Sequence, residues 1–222
     1  MSKPLSFVIP FAASAMCLFA ADFWQSKPFA DWSDKDVQRM LLNSPWSKLC
    51  VIESGAQTSS TQMRHGNRAG AMNPEAGISS LNLIIRWESA MPVRQAMVKK
   101  KFGAEAKTSF EARSTLEAPA EFYIVSVNGV PRADLPHDTE GIKKQMLSQA
   151  MLLIKGKDPI KATDFMMRPE GDQNSEGLFA FPKSAPIVED DKEVEFVARI
   201  GELSVRQRFR LKDMLLNGKL EL

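Results

Sequence analysis

The stretch EVEFVARI–GE–LSVRQRFR, residues 193–210, constrains the fold more than any other part of this chain. Its two arms alternate apolar and polar side chains around Gly201-Glu202, and glycine first in a two-residue loop suits a type II′ turn. Paired across that turn, opposing residue numbers sum to 403. One face then carries Val194, Phe196, Ala198 and Ile200 against Phe209, Gln207, Val205 and Leu203. The other sets Glu193 against Arg210, Glu195 against Arg208 and Val197 against Arg206. A slip of one residue would spoil both the apolar alternation and the charge match, so the two patterns together fix one register. Arg206, Arg208 and Arg210 are candidate binding residues, because a row of arginines suits an anion. The competing structural reading is a set of cross-strand ion pairs on a wet face, each worth about 0.2–1 kcal/mol.

The other end of the chain speaks to destination. MSKPLSFVIPFAASAMCLFA has one charge, Lys3, then an apolar run broken only by small residues and Pro10. The run falls short of the ~20 apolar residues that span a bilayer. A positive start, a short apolar run and small residues at its end describe a secretory signal peptide over residues 1–20. Cleavage after Ala20 fits first and cleavage after Ala21 second. A retained N-terminal anchor is one alternative, and lipidation of Cys17 is another, although Met16 stands where a small residue is wanted. Losing residues 1–20 removes one base and no acid, so 29 basic against 27 acidic residues becomes 28 against 27. That balance argues against the strongly basic face of a nucleic-acid binder and against a polybasic membrane attachment. The remaining length suits one domain, residues 21–222, with a sizeable core. Its single cysteine, Cys50, has no internal disulfide partner and lies in the apolar stretch KLCVIES, which suits a buried thiol.

Residues 21–48 hold three of the four tryptophans, Trp24, Trp32 and Trp46, with Phe23 and Phe29. Ser33 suits an N-cap and Asp36 the third position of a capping box. Trp32 then falls just outside the helix and Val37 one turn inside, the two positions of a hydrophobic staple. Val37, Met40 and Leu41 form one stripe, and Asn43, Ser44 and Pro45 stop the helix. Core packing explains these rings; a ligand surface at Trp24 and Trp46 is the alternative, because flat rings stack on sugars and peptides.

Lys48–Ser54 reads as a strand. Gly55–Ile78 has no apolar periodicity and the composition of a disordered loop. Leu81, Leu83, Ile85 and Trp87 alternate as a half-buried strand. SAMPVRQAMVKKKFG follows as a helix capped by Ser89 and stopped at Gly103, with three lysines in its last turn. Those lysines suit a solvated helix end better than a polyanion site. Ala120–Gly129 is apolar on both faces, as in a central strand, and Asn128-Gly129 signals a turn after it. Residues 138–155 carry a helical stripe of Ile142, Met146, Ala150 and Leu153, stopped at Gly156 and Pro159. Ile160–Met167 and Leu178–Phe181 read as short strands around an exposed turn, RPEGDQNSEG. The fold class is α+β: a mixed or largely antiparallel sheet with about three helices packed on one face and a C-terminal β-hairpin.

Chemistry is sparse. His65 and His137 stand 72 residues apart without a second histidine or a cysteine at ligand spacing, so no zinc pattern is present. There is no nucleophile elbow, P-loop or dinucleotide fingerprint. No cofactor, catalytic residue or metal ligand is assigned. A Cys50–His137 nucleophile would need the fold to join the two. Glu189, Asp190 and Asp191 lack the spaced oxygens of a calcium loop and suit a solvated turn.

FWQSKPFADWSDKDVQRMLLNSPWSK, DKEVEFVARIG and FRLKDMLLNGKLEL resemble a family of exported bacterial proteins of unknown function. In that family a tryptophan-rich helix ends in an S-P-W motif, here Ser44–Trp46. A low-complexity loop follows the first strand, and a strand pair leads to a K-D-M…G-K-L-E-L ending, here Lys212–Met214 and Gly218–Leu222. The resemblance covers both ends well and the middle loosely, and the loop here is less glycine-rich. It implies export and this architecture, and it carries over no catalytic residue. The expected function is that of an exported, periplasmic or secreted, non-enzymatic module. Such a module would bind a protein or an envelope component, with no nucleic-acid partner and no stable membrane span after cleavage. The alternative is a hydrolase around His137, with Asp138 or Glu140 as its partner in acid–base work.

Overall fold

The computed structural model describes residues 22–54, 79–132 and 139–222. The expected signal peptide (residues 1–20), residues 55–78 read above as a disordered loop, His65 and His137 lie outside the described residues.

The hairpin forms as its pattern dictates. Glu193–Ile200 (β8) and Leu203–Arg210 (β9) pair antiparallel from Glu193↔Arg210 to Ile200↔Leu203, and Gly201 supplies the positive φ (58°) of the turn. Val194, Phe196, Ala198, Ile200, Val205 and Phe209 are buried. Met151–Leu153 (β4) joins the free edge of β8 and Ile160–Lys161 (β5) pairs with β4, giving a four-stranded sheet ordered β5-β4-β8-β9.

A second antiparallel sheet, ordered β1-β2-β3-β7-β6, is built from Ser47–Ser54 (β1), Ser79–Trp87 (β2), Phe122–Pro131 (β3), Asp164–Glu170 (β6) and Asn174–Pro182 (β7). The α+β class and the antiparallel pairing are as the sequence indicates. The strands divide between two sheets because each offers one predominantly apolar face, and the two faces bury each other. Leu83, Ile85, Val125, Val127, Phe179 and Phe181 pack against the inner face of the hairpin sheet. Edge-to-face rings span the interface, with Phe179 5.6 Å from Phe196 and Trp87 5.5 Å from Phe209. Such pairs add about 0.5–1.5 kcal/mol beyond the area they bury.

Helices Phe23–Ser26 (α1) and Asp34–Leu42 (α2) close one end of this core. The capping box is formed: Asp36 N–H donates to Ser33 Oγ at 3.2 Å and Ser33 N–H to the Asp36 carboxylate at 2.9 Å. Trp32 and Val37 are both buried, as a staple requires. Phe23 meets Trp24 and Trp32, and Trp24 meets Trp46, all edge to face at 5.0–5.7 Å. Trp46 Nε1 donates to the Glu221 carbonyl at 2.8 Å. Gln25 bonds the Leu215 carbonyl and the Asn217 N–H of a last small hairpin, Leu215–Leu216 (β10) and Lys219–Leu220 (β11). The rings near the N-terminus and residues 215–221 thus form one packed end of the molecule.

Several elements differ from the sequence reading. Met91–Phe102 (α3) has Ala90 at its N-cap, because Ser89 Oγ is taken by the Ile124 N–H at 3.0 Å. Residues 103–107 form a 3-10 turn and Phe110–Glu117 a further helix (α4). These pack a small separate core of Val98, Ala106 and Ala112. The helix Thr139–Gln149 (α5) stops six residues early, where Met151–Leu153 gains a hydrogen-bonded partner on each side. Most of RPEGDQNSEG is strand, with the reversal confined to residues 171–173. Asn128-Gly129 is not a turn: β3 runs through it with a register shift between Val127 and Val130 against β7. Gly129 takes φ 87° there, and a Cβ would lie 3.1 Å from the Asn82 carbonyl oxygen. The pair is a β-bulge in a central strand.

Candidate functional site

The five-stranded sheet carries a buried polar cluster on the face opposite its apolar one. Alternation along β2 turns Arg86 away from Ile85 and Trp87. Arg86 Nε donates to Glu88 at 2.6 Å, and its terminal amino groups donate to Asn128 Oδ1 at 2.9 Å, Glu176 at 3.1 Å and the Leu41 carbonyl at 3.3 Å. Ser126 Oγ donates to Glu88 at 2.7 Å, Asn128 Nδ2 donates to Ser126 Oγ at 2.8 Å, and Arg168 pairs with the other Glu176 oxygen at 3.1 Å. Burial, with the Glu88 charge beside it, pushes the Glu176 carboxyl up. Two carboxylates and two arginines balance, and the bulge at Gly129 turns the Asn128 amide into the cluster. No sequence signal marks this group, whose members are spread from residue 86 to residue 176. It fastens the end of α2 to the sheet, since the Leu41 carbonyl is one of the acceptors.

The outer face of the hairpin sheet is different. An open cleft of about 1130 Å³ lies there, between β4, β8 and β9 and the acidic turn at residues 189–191. Leu153, Glu195 and Arg208 stand side by side across three strands by register. Glu195 is held by two arginines: Arg206 reaches both of its oxygens, at 3.4 and 2.7 Å, and Arg208 Nε donates at 3.1 Å. These hydrogen bonds, that from Arg206 foremost, pull the Glu195 carboxyl below the usual range. Arg210 pairs with Asp213 at 2.9 Å rather than with Glu193 opposite. Asp191 is occupied by Lys157 at 2.7 Å and by the Val188 N–H at 2.9 Å.

Among the described residues, Lys155, Lys192 and Lys212 form no ion pair, nor do Glu189, Asp190 and Glu193, and all six line the cleft. The side chain of Arg208 is 69% exposed and that of Arg210 62%. Each uses one of its five N–H groups on a carboxylate and turns the rest to the cleft or to solvent. Arg206 is not a wall of the cleft; its guanidinium is spent on Glu195.

The sequence candidates thus fall into two groups. Arg206, Arg208 and Arg210 lie on one wet face, with the latter two in the cleft. Trp24 and Trp46 are inside the core, 7% and 0% exposed, and neither ring presents a face to a ligand. Cys50 is half-buried against β9, its Sγ 3.9 Å from the Arg206 carbonyl oxygen, and burial pushes its thiol up. No group of three or more His, Cys, Asp or Glu side chains is disposed to hold a metal among the described residues. No described helix is long and apolar enough to cross a membrane. The pairing of Glu195 with Arg208 was readable from the register; the diagonal reach of Arg206, which stands opposite Val197, was not, nor was the cleft, because Leu153–Lys155 and residues 189–192 reach it from other parts of the chain. The chain matches no protein-family model, no characterised protein and no solved structure.

Proposed function

We propose that this chain is an exported, non-enzymatic binding protein of the cell envelope or its surroundings, and that its ligand occupies the cleft on the outer face of β4, β8 and β9. The observation that carries the reading is the state of the charged groups there. Arg208, Arg210, Lys155 and Lys212 present N–H groups that no carboxylate among the described residues consumes. The walls are Lys, Arg, Asp, Glu, Leu and Ile, side chains that hold a partner by charge and contact. Export rests on the N-terminal sequence: one positive charge, a short apolar run and small residues before Ala21.

Two measurements test the proposal. N-terminal sequencing of the protein recovered from its own host should begin near Ala21 in a non-cytosolic fraction; an intact Met1 in the cytosol would sink the export reading. Cross-linked capture from the host's envelope extract should yield a partner with the parent protein. The Arg208→Gln/Arg210→Gln variant should lose that partner while its melting temperature falls by no more than a few degrees, as for exposed ion pairs. Equal capture by both would remove the cleft from the account.

A further inference from the structure

We infer that the cleft takes a zwitterionic ligand, its anionic group gripped between Arg208 and Arg210 and its cationic group facing Glu189 and Asp190. The inference rests on the reading of the cleft as a binding site and adds the class of ligand. Five cationic and five acidic side chains line the cleft. That balance rejects a ligand negative along its whole length, because Glu189, Asp190 and Glu193 have no counter-ion among the described residues.

The cations are placed differently. Arg208 and Arg210 lie two residues apart on the same face of β9, so their stems stand about 7 Å apart along the strand. A phosphate or carboxylate between them accepts from both guanidinium forks, which such anions match in shape. Glu195 acts as the positioning residue: it holds Arg208 through Nε alone and leaves both terminal amino groups free. Arg206 is bound through Nε and a terminal amino group and stands outside the walls. The row of three arginines therefore divides, with two binders and one support. Leu153, next to Glu195 in the floor, offers contact for a short aliphatic link between the ligand's two charges.

The probes are O-phosphoethanolamine, which is zwitterionic, and inorganic phosphate, which is anionic only, titrated into the ¹⁵N-labelled protein. O-phosphoethanolamine should saturate at or below about 10 mM and should shift amides at both 189–193 and 208–212. Arg208→Gln and Arg210→Gln should each weaken it about tenfold, or ~1.4 kcal/mol, and Arg206→Gln less than about twofold. The decisive contrast is one of sign. Glu189→Gln/Asp190→Asn should weaken O-phosphoethanolamine and tighten phosphate, because the same two charges attract the ammonium and repel the phosphate. Co-sedimentation with phosphatidylethanolamine vesicles distinguishes a lipid headgroup from a free small molecule. The inference is overturned if O-phosphoethanolamine does not saturate, if Arg206→Gln is as harmful as Arg208→Gln, or if removing the acids moves both probes in one direction. Partner capture that still depends on Arg208 and Arg210 would then show that the ligand class had failed and the cleft had not.

Discussion

Replacing Arg86 by Met keeps the aliphatic stem and removes the charge that joins four acceptors. The side chain is 11% exposed, and its partners Glu88 and Glu176 are 6% and 13% exposed. Without Arg86, Arg168 remains as the only cation of the cluster, on the far side of Glu176. Breaking a buried pair by removing one partner costs about 3–5 kcal/mol. For a chain of this size that lowers the melting temperature by roughly 10 °C. The loss should depend on pH. Glu176 has a folded pKa above its unfolded one, so its contribution to stability is present at low pH and is lost as pH rises through the folded value. Removing Arg86 raises that folded value further, because the charged carboxylate loses a partner. The cost of Arg86→Met should therefore be largest at pH 7 and smaller at pH 5, and adding Glu176→Gln should recover part of it. Urea denaturation at both pH values, followed by the emission of the four tryptophans, gives midpoint and slope for each variant. A cost under about 1 kcal/mol at pH 7, or an equal cost at both pH values, would refute the account of the cluster as an interdependent buried network.

Phe209→Ala should cost about 3–5 kcal/mol, because the ring is fully buried against Trp87, and Arg208→Ala under about 1 kcal/mol; urea midpoints compare the two, and a reversed order would invert the faces of the hairpin. Lys27 and Ser33 hold the Asp36 carboxyl at about 2, below its ordinary 3.8. Its stabilising effect is thus present above the unfolded value and is lost as pH falls from about 4 to 2. Asp36→Asn should be less stable than the parent at pH 6, with the gap narrowed to well under half by pH 2.5 in the same denaturation assay. Exchanging residues 55–78 for a four-residue Gly/Ser linker should keep the fold, since β1 and β2 are paired out to Ser54↔Ser79. Loop closure favours the shorter link by about 1.5 kcal/mol at most, so a clear drop in melting temperature would show that those residues contribute structure.

What the sequence disclosed was local. The hairpin register follows from two patterns within eighteen residues, and the start of α2 follows from Ser33, Asp36, Trp32 and Val37, all within six residues. What stayed hidden was set at long range. Both Asn-Gly pairs carry the same turn signal, yet only Asn217-Gly218 turns the chain, with φ of 50° and 76°. Asn128-Gly129 is held straight between β2 and β7, and its amide finds partners in the polar cluster. The apolar stripe of residues 142–154 continues past Gln149, but its last part gains more from pairing with β5 and β8 than from another helical turn. The rings of Trp24 and Trp46 read as core first, with a ligand surface as the alternative, and their partner at residue 221, which takes the Trp46 N–H, lies 175 residues away where no local pattern points to it. The cleft is assembled from three separate segments, and no one of them announces it.

The contact between the opening rings and residues 215–221 has a kinetic meaning. Trp46 and Gln25 complete their hydrogen bonds with partners 175 and 190 residues away. A chain that emerges N-terminus first therefore presents Phe23, Trp24, Trp32 and Trp46 long before anything can cover them. Contacts of such sequence separation slow folding, because the loop entropy is spent before the contact repays it. The aromatic end should be the last part to set. Until it does, those rings are uncovered apolar surface, and a partly folded chain of this kind is prone to associate with other chains.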